Sequence, residues 1–218
     1  MARTVQVPQF SVSTTFDASE LERFRAQLKD WAARRGQKPC SVTAIMVKAA
    51  AVALKAHPRV NAQWDDGEII YWEHANIGVA VATSHGLVVP VVHRADEKGL
   101  AAIRDELARL QQRAEALQLT PRDLENGAFT ISNLGMMGIE HFTPIVNTPQ
   151  AAILAVSAVK VQPVWVDGSF QPRPLGNLTL TADHRVLDGA DAAQFLAFLK
   201  DLLEHPAALL MGESGLAG

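Results

Sequence analysis

The chain has 218 residues, of which 48% are hydrophobic and 20% are charged, and its formal net charge is −3. This composition fits a globular domain, and the weak negative charge gives no electrostatic footprint for a nucleic-acid partner. No apolar run approaches the roughly 20 residues that span a bilayer, so no membrane partner is expected. The one cysteine, Cys40, excludes an intramolecular disulfide and favours a reducing compartment, which predicts a cytoplasmic protein.

In the first part of the chain the sequence predicts one strand and two helices. Alternating apolar and polar residues from 5 to 16 indicate the strand. Ser19 and Glu22 have the spacing of a capping box, so we expect Ser19 to be the N-cap of a helix that ends near Gly36. Residues 42–56 are apolar on most sides, which predicts a buried helix.

The remainder of the chain mixes strands with helices. Amphipathic spacing predicts helices at 100–117 and 190–204, and Thr120 followed by Pro121 predicts a short capped helix between them. Strands are predicted at 68–72, 76–83, 87–92, 128–134, 151–159, 164–166 and 177–181. A turn is predicted at Asp167-Gly168, and a frayed tail after Met211. The run at 151–159 is apolar almost throughout, which predicts a central strand buried on both faces. Together the elements predict an α/β domain in which a mixed β-sheet is flanked by helices.

A polar run at residues 183–189 separates the last predicted strand from the last helix. A histidine at such a junction can lie at the edge of a cleft. For His184 the local sequence leaves three interpretations: a histidine bonded within its loop, half of a metal site with Asp188, or a general base that exchanges protons near neutral pH. The metal interpretation lacks support, because this segment is not predicted to be helical and no second histidine cluster supplies further ligands. We therefore expect no metal.

A second candidate, Ser132, lies where a predicted strand enters a loop rich in glycine and methionine. The plainest interpretation is a strand serine that is bonded to a neighbouring backbone group. The GxSxG frame of a nucleophile elbow is absent, so Ser132 is not predicted to attack a substrate. A hydroxyl in this position can instead donate a hydrogen bond to a developing oxyanion.

Three blocks of the sequence resemble, in order, those of one enzyme family, the dihydrolipoyl acyltransferase components of 2-oxo acid dehydrogenase complexes. The blocks lie at residues 76–81 with 86–91, at 129–136 with 142–154, and at 183–190, where the chain is similar to the family's DHRxxDG signature. The interval from Ser132 to His184, 52 residues, also fits this family. The resemblance extends from about Val7 to Leu210.

This resemblance implies a fold, an assembly and a mechanism. The fold would be that of chloramphenicol acetyltransferase, in a homotrimer whose active site lies between neighbouring subunits, and trimers could build a larger cage. By position, His184 would be the catalytic general base, Ser132 the donor to the tetrahedral intermediate, and Asp188 the residue that orders the histidine loop. CoA would be one substrate, and a lipoyl group on a separate domain or protein would be the other. The resemblance assigns no cofactor-binding residue.

The expected function is transfer of an acyl group, foremost acetyl, between dihydrolipoamide and CoA. Residues 1–218 are predicted to be a single acyltransferase catalytic domain without a lipoyl or peripheral subunit-binding domain, with lipoyl domains and dehydrogenase complex subunits as partners. The alternatives are branched-chain acyl or succinyl transfer, a stand-alone CoA-dependent acetyltransferase of small molecules, and a catalytically silent assembly core. Met136, Met137 and Phe142 are candidates for the acyl pocket, although burial in the apolar core is their plainer interpretation.

Overall fold

The structure, a computed structural model, describes residues 7–210. The strands over these residues are β1 (Gln9–Asp17), β2 (Ala62–Asp65), β3 (Glu68–Tyr71), β4 (Ile77–Val79), β5 (Val81–Thr83), β6 (Gly86–Val88), β7 (Val91–Val92), β8 (Phe129–Asn133), β9 (Ala152–Val156), β10 (Lys160–Val166) and β11 (Ser169–Asp183). The helices are α1 (Ser19–Arg34), α2 (Val42–Ala56), α3 (Leu100–Glu115), α4 (Pro121–Leu124) and α5 (Gly189–Glu204). In the part of the chain that is described, no helix has both the length and the apolar character needed to cross a membrane.

A seven-stranded mixed sheet forms the centre of the molecule. Its strands follow the order β1-β11-β9-β8-β4-β7, and β10 pairs with the first half of β11. Strand β8 is parallel to both β4 and β9, whereas the other pairs in the sheet are antiparallel. All five residues of β9 are buried, which confirms the central strand predicted from the apolar run. Two small hairpins, β2–β3 and β5–β6, lie outside this sheet.

Strands β1 and β11 have one apolar and one polar face, because successive side chains of a strand point in opposite directions. On the apolar face the β1 side chains that pack in the core are Phe10, Val12 and Phe16. On the polar face, side chains of the two strands form hydrogen bonds of 2.7–2.8 Å, which join Ser11 to Thr181, Ser13 to Thr179 and Thr15 to Asn177. The three polar side chains of β1 remain exposed to solvent.

Helices cover the apolar face of the sheet. Helix α5 packs against β1, and α2 packs against both α3 and α5. As predicted, α2 is buried along most of its length, and the hydroxyl of its N-cap Ser41 accepts a hydrogen bond from the Ala44 N–H. The predicted class, an α/β domain with a mixed sheet flanked by helices, is therefore confirmed.

The beginning of α1 differs from the prediction. The helix starts at Ser19, so the N-cap position falls to Ala18, which has no side chain that can cap, and the predicted capping box is wrong. Asp17 supplies the missing acceptor, because its Oδ1 accepts the Ser19 N–H at 2.8 Å. The cap predicted at Thr120 is confirmed at the start of α4, where Thr120 and Asp123 form a capping box.

Proline accounts for two differences in strand bounds. Pro90 has no N–H to donate, and the run predicted at 87–92 divides there into β6 and β7. Of β11 only 177–181 was predicted. The strand begins earlier and includes Pro172 and Pro174, which lie where β11 pairs with β10 and with no other described strand, the position in a sheet where proline is tolerated. Strand β2, four residues without an alternating pattern, has no predicted counterpart. The start of the first predicted strand and the tail after Met211 lie outside the described residues.

The burial of β9 makes a stability test direct. Leu154, at the centre of β9, has no exposed surface, and its replacement by alanine leaves a cavity between sheet and helices. We expect Leu154→Ala to lower the free energy of unfolding by about 2–5 kcal/mol, measured by urea denaturation. The matched control is Leu124→Ala, since Leu124 is 46% exposed; its loss should be smaller than that of Leu154→Ala. Equal losses for the two variants would contradict the central placement of β9.

Candidate active site

His184 continues the ladder of β11 by one residue. Its N–H donates to the Pro8 carbonyl at 2.8 Å, and the Asp183 N–H donates to the Ala151 carbonyl at 2.8 Å. The side chain is exposed, and its imidazole contacts the Phe10 ring with centroids 4.7 Å apart. No hydrogen bond or ion pair joins the imidazole to another described residue. The interpretation of His184 as a histidine bonded within its loop is therefore wrong, and its ring nitrogens are available to a substrate.

The residues on either side of His184 form an ion pair that holds the loop. The Asp183 carboxylate is almost fully buried. It accepts hydrogen bonds of 2.6–3.2 Å from the Arg185 guanidinium and one of 3.0 Å from the Arg185 backbone N–H. The Asp183 carbonyl accepts the N–H groups of Val186 and Leu187 at 3.0 Å. The guanidinium carbon of Arg185 also lies 4.9 Å from the centroid of the Trp64 ring, a cation–π contact. The pair thus fixes the backbone around His184.

Asp188 ends the loop as the N-cap of α5. Its Oδ1 accepts the N–H groups of Ala190 and Asp191 at 2.9 Å, and the Asp191 carboxylate accepts the Asp188 N–H in return. The N–H of Asp191, and after it that of Ala190, hold the pKa of the Asp188 carboxyl below its ordinary value. No described hydrogen bond joins Asp188 to His184, so the carboxylate fixes the end of the loop through α5.

Ser132 lies at the wall of a cavity on the polar face of the sheet. The side chain is half-buried in β8, and the cavity has a volume of about 850 Å³. Its lining is largely apolar and includes Ala80, Leu87, Val89, Phe142, Pro144 and Ile145. The Ser132 hydroxyl makes no hydrogen bond to another described residue, which contradicts the interpretation of a serine bonded to nearby backbone. Its proton is available to a ligand in the cavity.

The neighbours of Ser132 have different roles. Asn133 points the other way, where its amide donates to the Thr43 hydroxyl of α2 and its oxygen accepts the Gly135 N–H. Met136 and Met137 are 80% and 64% exposed, so the core interpretation is wrong for both, and neither lines the cavity. Phe142 does line the cavity.

One cluster of polar residues, formed by His74, Asp96 and Glu97, was not predicted from the sequence. Among the described residues this is the one place where three potential metal ligands lie within 4.8 Å of one another. The buried Asp96 already accepts the Ala75 N–H at 2.9 Å and lies 3.3 Å from the His74 Nδ1. Its contacts therefore account for its burial without an ion. His184 and Asp188 form no such cluster.

Ser132 and His184 lie on opposite faces of the sheet within one protomer. Ser132 is in register with Ala155, which is in register with Thr179 on the polar face of β11. Alternation along β11 places His184 on the other face, where Phe10 contacts it.

The two residues are also far apart along the sheet. Ser132 lies two strands from β11 and level with Thr179, five residues before His184. At about 3.3 Å per residue and about 4.8 Å per strand, their Cα atoms are roughly 19 Å apart. Serine and histidine side chains do not bridge such a gap. One protomer therefore does not bring the two candidate catalytic groups together.

Comparison with known families identifies the family of the chain. The family described as 2-oxoacid dehydrogenases acyltransferase (catalytic domain) matches residues 1–211. The chain belongs to this family. Its fold is also shared with chloramphenicol acetyltransferase, to which the structure is similar with a TM-score of 0.57 at 17% identity.

Curated relatives of this acyltransferase domain include enzymes of two acyl specificities. The chain is 41% identical over 208 residues to the dihydrolipoyllysine-residue acetyltransferase component 3 of the mitochondrial pyruvate dehydrogenase complex of Arabidopsis thaliana, covering 94% of the chain and 39% of that relative. It is 40% identical over 201 residues to the succinyltransferase component of the mitochondrial 2-oxoglutarate dehydrogenase complex of Saccharomyces cerevisiae, covering 91% of the chain and 43% of that relative. The chain thus spans about two fifths of the length of these relatives.

A solved acetyltransferase has nearly the same structure. The dihydrolipoamide acetyltransferase of Azotobacter vinelandii is similar with a TM-score of 0.91 and 39% identity, over 96% of this chain and 87% of that one. The cubic core of the pyruvate dehydrogenase multienzyme complex matches with the same TM-score at 40% identity, over the same shares of both chains. The fold around Ser132 and His184 is therefore that of the family's catalytic domain.

The lowered pKa of the Asp188 carboxyl predicts that the stability of its cap depends on pH. Because the pKa is lowered in the folded chain, the charged carboxylate stabilises the fold above the ordinary value of 3.8 and loses this effect as the pH falls through the folded pKa. We expect Asp188→Ala to lower the midpoint of thermal unfolding at neutral pH, and the difference from wild type to shrink on acidification. Asp188→Asn, which keeps an accepting oxygen but not the charge, is the control: its midpoint at neutral pH should lie between those of Asp188→Ala and wild type. A difference that did not change with pH would show that the charge has no part in the cap.

Proposed function

We propose that this domain transfers an acyl group, foremost acetyl, between dihydrolipoamide and CoA, and that it works as a homotrimer with its active sites between neighbouring protomers. The observation that carries the proposal is the pair formed by Ser132 and His184. The side chain of each has a polar group that makes no hydrogen bond to a described residue, and the two side chains lie on opposite faces of the sheet of one protomer. A second copy is needed to place the imidazole of one chain against the hydroxyl of another.

The spacing of the candidate residues supports these roles. The work on the Azotobacter vinelandii enzyme concerns a serine, a histidine and an asparagine in its catalytic mechanism, at intervals of 52 and 4 residues. Ser132, His184 and Asp188 have the same intervals, with an aspartate in place of the asparagine. Since both aspartate and asparagine cap helices well, the exchange keeps the contact that Asp188 makes with α5.

His184 supplies general base catalysis in this proposal. A free thiol has a pKa of about 8.5, so only a small fraction is thiolate at neutral pH. His184 takes the proton of the attacking thiol as its sulfur bonds to the thioester carbonyl carbon. When the tetrahedral intermediate collapses, the bond to the other sulfur breaks and His184 returns the proton to that leaving thiol. The acyl group passes directly from one sulfur to the other, without a covalent bond to the enzyme.

Ser132 stabilises the charge that develops in this step. The carbonyl oxygen becomes an oxyanion in the tetrahedral intermediate, and a hydroxyl donor interacts more strongly with it than with the neutral carbonyl. The hydroxyl is not engaged with another described residue and faces the cavity, so no internal bond has to break first.

The cavity beside Ser132 favours an uncharged acyl group. Within the described lining there is no lysine, arginine or histidine, and the polar groups present are neutral amides and hydroxyls. A succinyl group would bring a carboxylate into this largely apolar space without a cation to pair with it, which costs free energy. The cavity therefore supports acetyl, or a branched apolar acyl group, over succinyl.

The partners follow from the same proposal. CoA is a substrate, and the second substrate is a lipoyl group on a separate domain or protein, presented by a dehydrogenase complex. Trimers would assemble further into a cage, as in the solved cubic core to which the chain is similar. The cytoplasmic location inferred from the single cysteine remains a prediction.

A second candidate activity rests on the shared fold. Chloramphenicol acetyltransferase has this fold, so an alcohol on a small molecule is the alternative acceptor. A thioester-exchange assay with acetyl-CoA separates the two: turnover with dihydrolipoamide supports our proposal, whereas turnover with alcohols and none with dihydrolipoamide contradicts it. The same assay with isobutyryl-CoA and succinyl-CoA measures the acyl preference.

The roles of the two residues can be tested in that assay. We expect His184→Ala to lower kcat at least about 100-fold, because general base catalysis is lost. Ser132→Ala should lower kcat about 10²- to 10³-fold, because one oxyanion donor is removed. The exposed His205, whose side chain contacts Asp201, provides the control His205→Ala, which should keep wild-type turnover. Near-normal turnover by His184→Ala would refute the mechanism.

Mixing the two inactive variants tests the shared site. In randomly mixed trimers of His184→Ala and Ser132→Ala chains, about one quarter of the sites between protomers contain both intact residues. We therefore expect co-expression to restore about a quarter of wild-type activity. Activity no higher than that of the separate variants, in trimers shown by mass to be mixed, would place both residues of each site in one chain.

A further inference from the structure

The first strand contacts His184 in two ways. The Pro8 carbonyl accepts the His184 N–H at 2.8 Å, which extends the β1–β11 ladder beyond its last strand pair. Two residues later, the Phe10 ring lies against the imidazole, with centroids 4.7 Å apart and planes inclined by 52°. Both contacts come from one short segment, so the backbone and the side chain of His184 are held by the same element.

Phe10 is itself firmly placed. It lies opposite Ala182 in the register of β1 with β11, on the face that carries the apolar core. The ring is partly buried and packs against that core. A ring anchored in this way is a fixed surface for the imidazole beside it.

His184 needs such a surface because it has few other restraints. No hydrogen bond or ion pair to a described residue orients its exposed imidazole. Proton transfer, by contrast, requires a ring nitrogen within hydrogen-bond reach of the reacting sulfur. An imidazole free to change rotamers would spend part of its time out of reach. A contact between aromatic rings stabilises one arrangement beyond the effect of burial alone.

We propose that Phe10 is a positioning residue for His184: its ring holds the imidazole in the orientation that proton transfer requires. This role rests on the proposed acyltransferase function. Phe10 does not take part in bond making; it raises the fraction of time in which His184 can act. Its removal should therefore lower kcat and leave the KM values for both thiol substrates unchanged.

Kinetics of two Phe10 variants test the proposal. Phe10→Leu keeps an apolar side chain and removes the ring, and we expect kcat to fall about threefold to tenfold at unchanged KM, the range that loss of an aromatic contact predicts. Phe10→Tyr keeps the ring and should retain most of the wild-type kcat. Wild-type kcat in Phe10→Leu, or an equal loss in Phe10→Tyr, would overturn the proposal.

Two controls separate positioning from general damage. Val12 lies on the same face of β1 and also packs against the core, but has no ring contact with His184. Val12→Ala should lower the thermal midpoint and leave kcat unchanged. Phe198 contacts the ring of His57, with centroids 5.4 Å apart, so Phe198→Leu removes an equivalent contact elsewhere and should also keep kcat. A loss of kcat in either control equal to that of Phe10→Leu would overturn the proposal.

A spectroscopic measurement tests the contact independently of activity. With ¹³C-labelled histidine, the His184 imidazole signal, assigned by its absence from His184→Gln, should carry a ring-current shift from Phe10. We expect this shift to disappear in Phe10→Leu and to persist in Phe10→Tyr. If the shift is lost in Phe10→Leu as expected but the wild-type protein has no transfer activity, the proposed function is refuted and the contact between the two rings is not. An unchanged signal in Phe10→Leu would refute the positioning role, whatever the activity.

Discussion

The antiparallel pairing of β1 with β11 determines where His184 lies and which way it faces. The register places Gln9 opposite Asp183, and the Pro8 carbonyl binds the next N–H, so the strand ladder reaches the histidine itself. Strand geometry allows little freedom here, because a shift by one residue would turn every side chain to the other face. The polar and apolar faces of β1 make such a shift costly. The pairing of the two strands thus fixes the position of His184, the candidate general base, at the start of the loop.

Strand alternation also separates the two candidate catalytic residues. Ser132 lies on the polar face beside a cavity, level with Thr179 of β11, and His184 follows the last residue of β11 on the apolar side. The sheet is rigid, so no local adjustment brings them together in one chain. An active site between protomers is a direct consequence of this arrangement in the function we propose. Exposed apolar residues near the cavity, such as Leu87 and Ile145, are consistent with a surface that another copy covers.

The other charged residues of the run at 183–189 hold the loop and the start of α5 in place. Asp183 and Arg185 neutralise each other and satisfy the loop backbone, and Asp188 caps α5. The loop is thus fixed at both ends, while the ring nitrogens of His184 have no hydrogen-bond partner among residues 7–210. This division suits a general base, because a base that was already hydrogen-bonded inside the protein would have to break that bond before it accepted a proton.

The sequence by itself determined the α/β class, the buried helix α2, the central strand β9 and the identity of His184 and Ser132 as candidates. These features depend on local patterns of polarity or on short motifs, which can be recognised from residues that are neighbours in the sequence. Tertiary structure alone decided the length of β11. Its prolines lie in its first half, where proline is tolerated because that part of the strand pairs only with β10 among the described strands. Tertiary structure also decided that Asp188 acts on α5, that Met136 and Met137 are exposed, and that Phe10 contacts His184. Such contacts join residues far apart in the chain, so they depend on strand register, which no local pattern specifies.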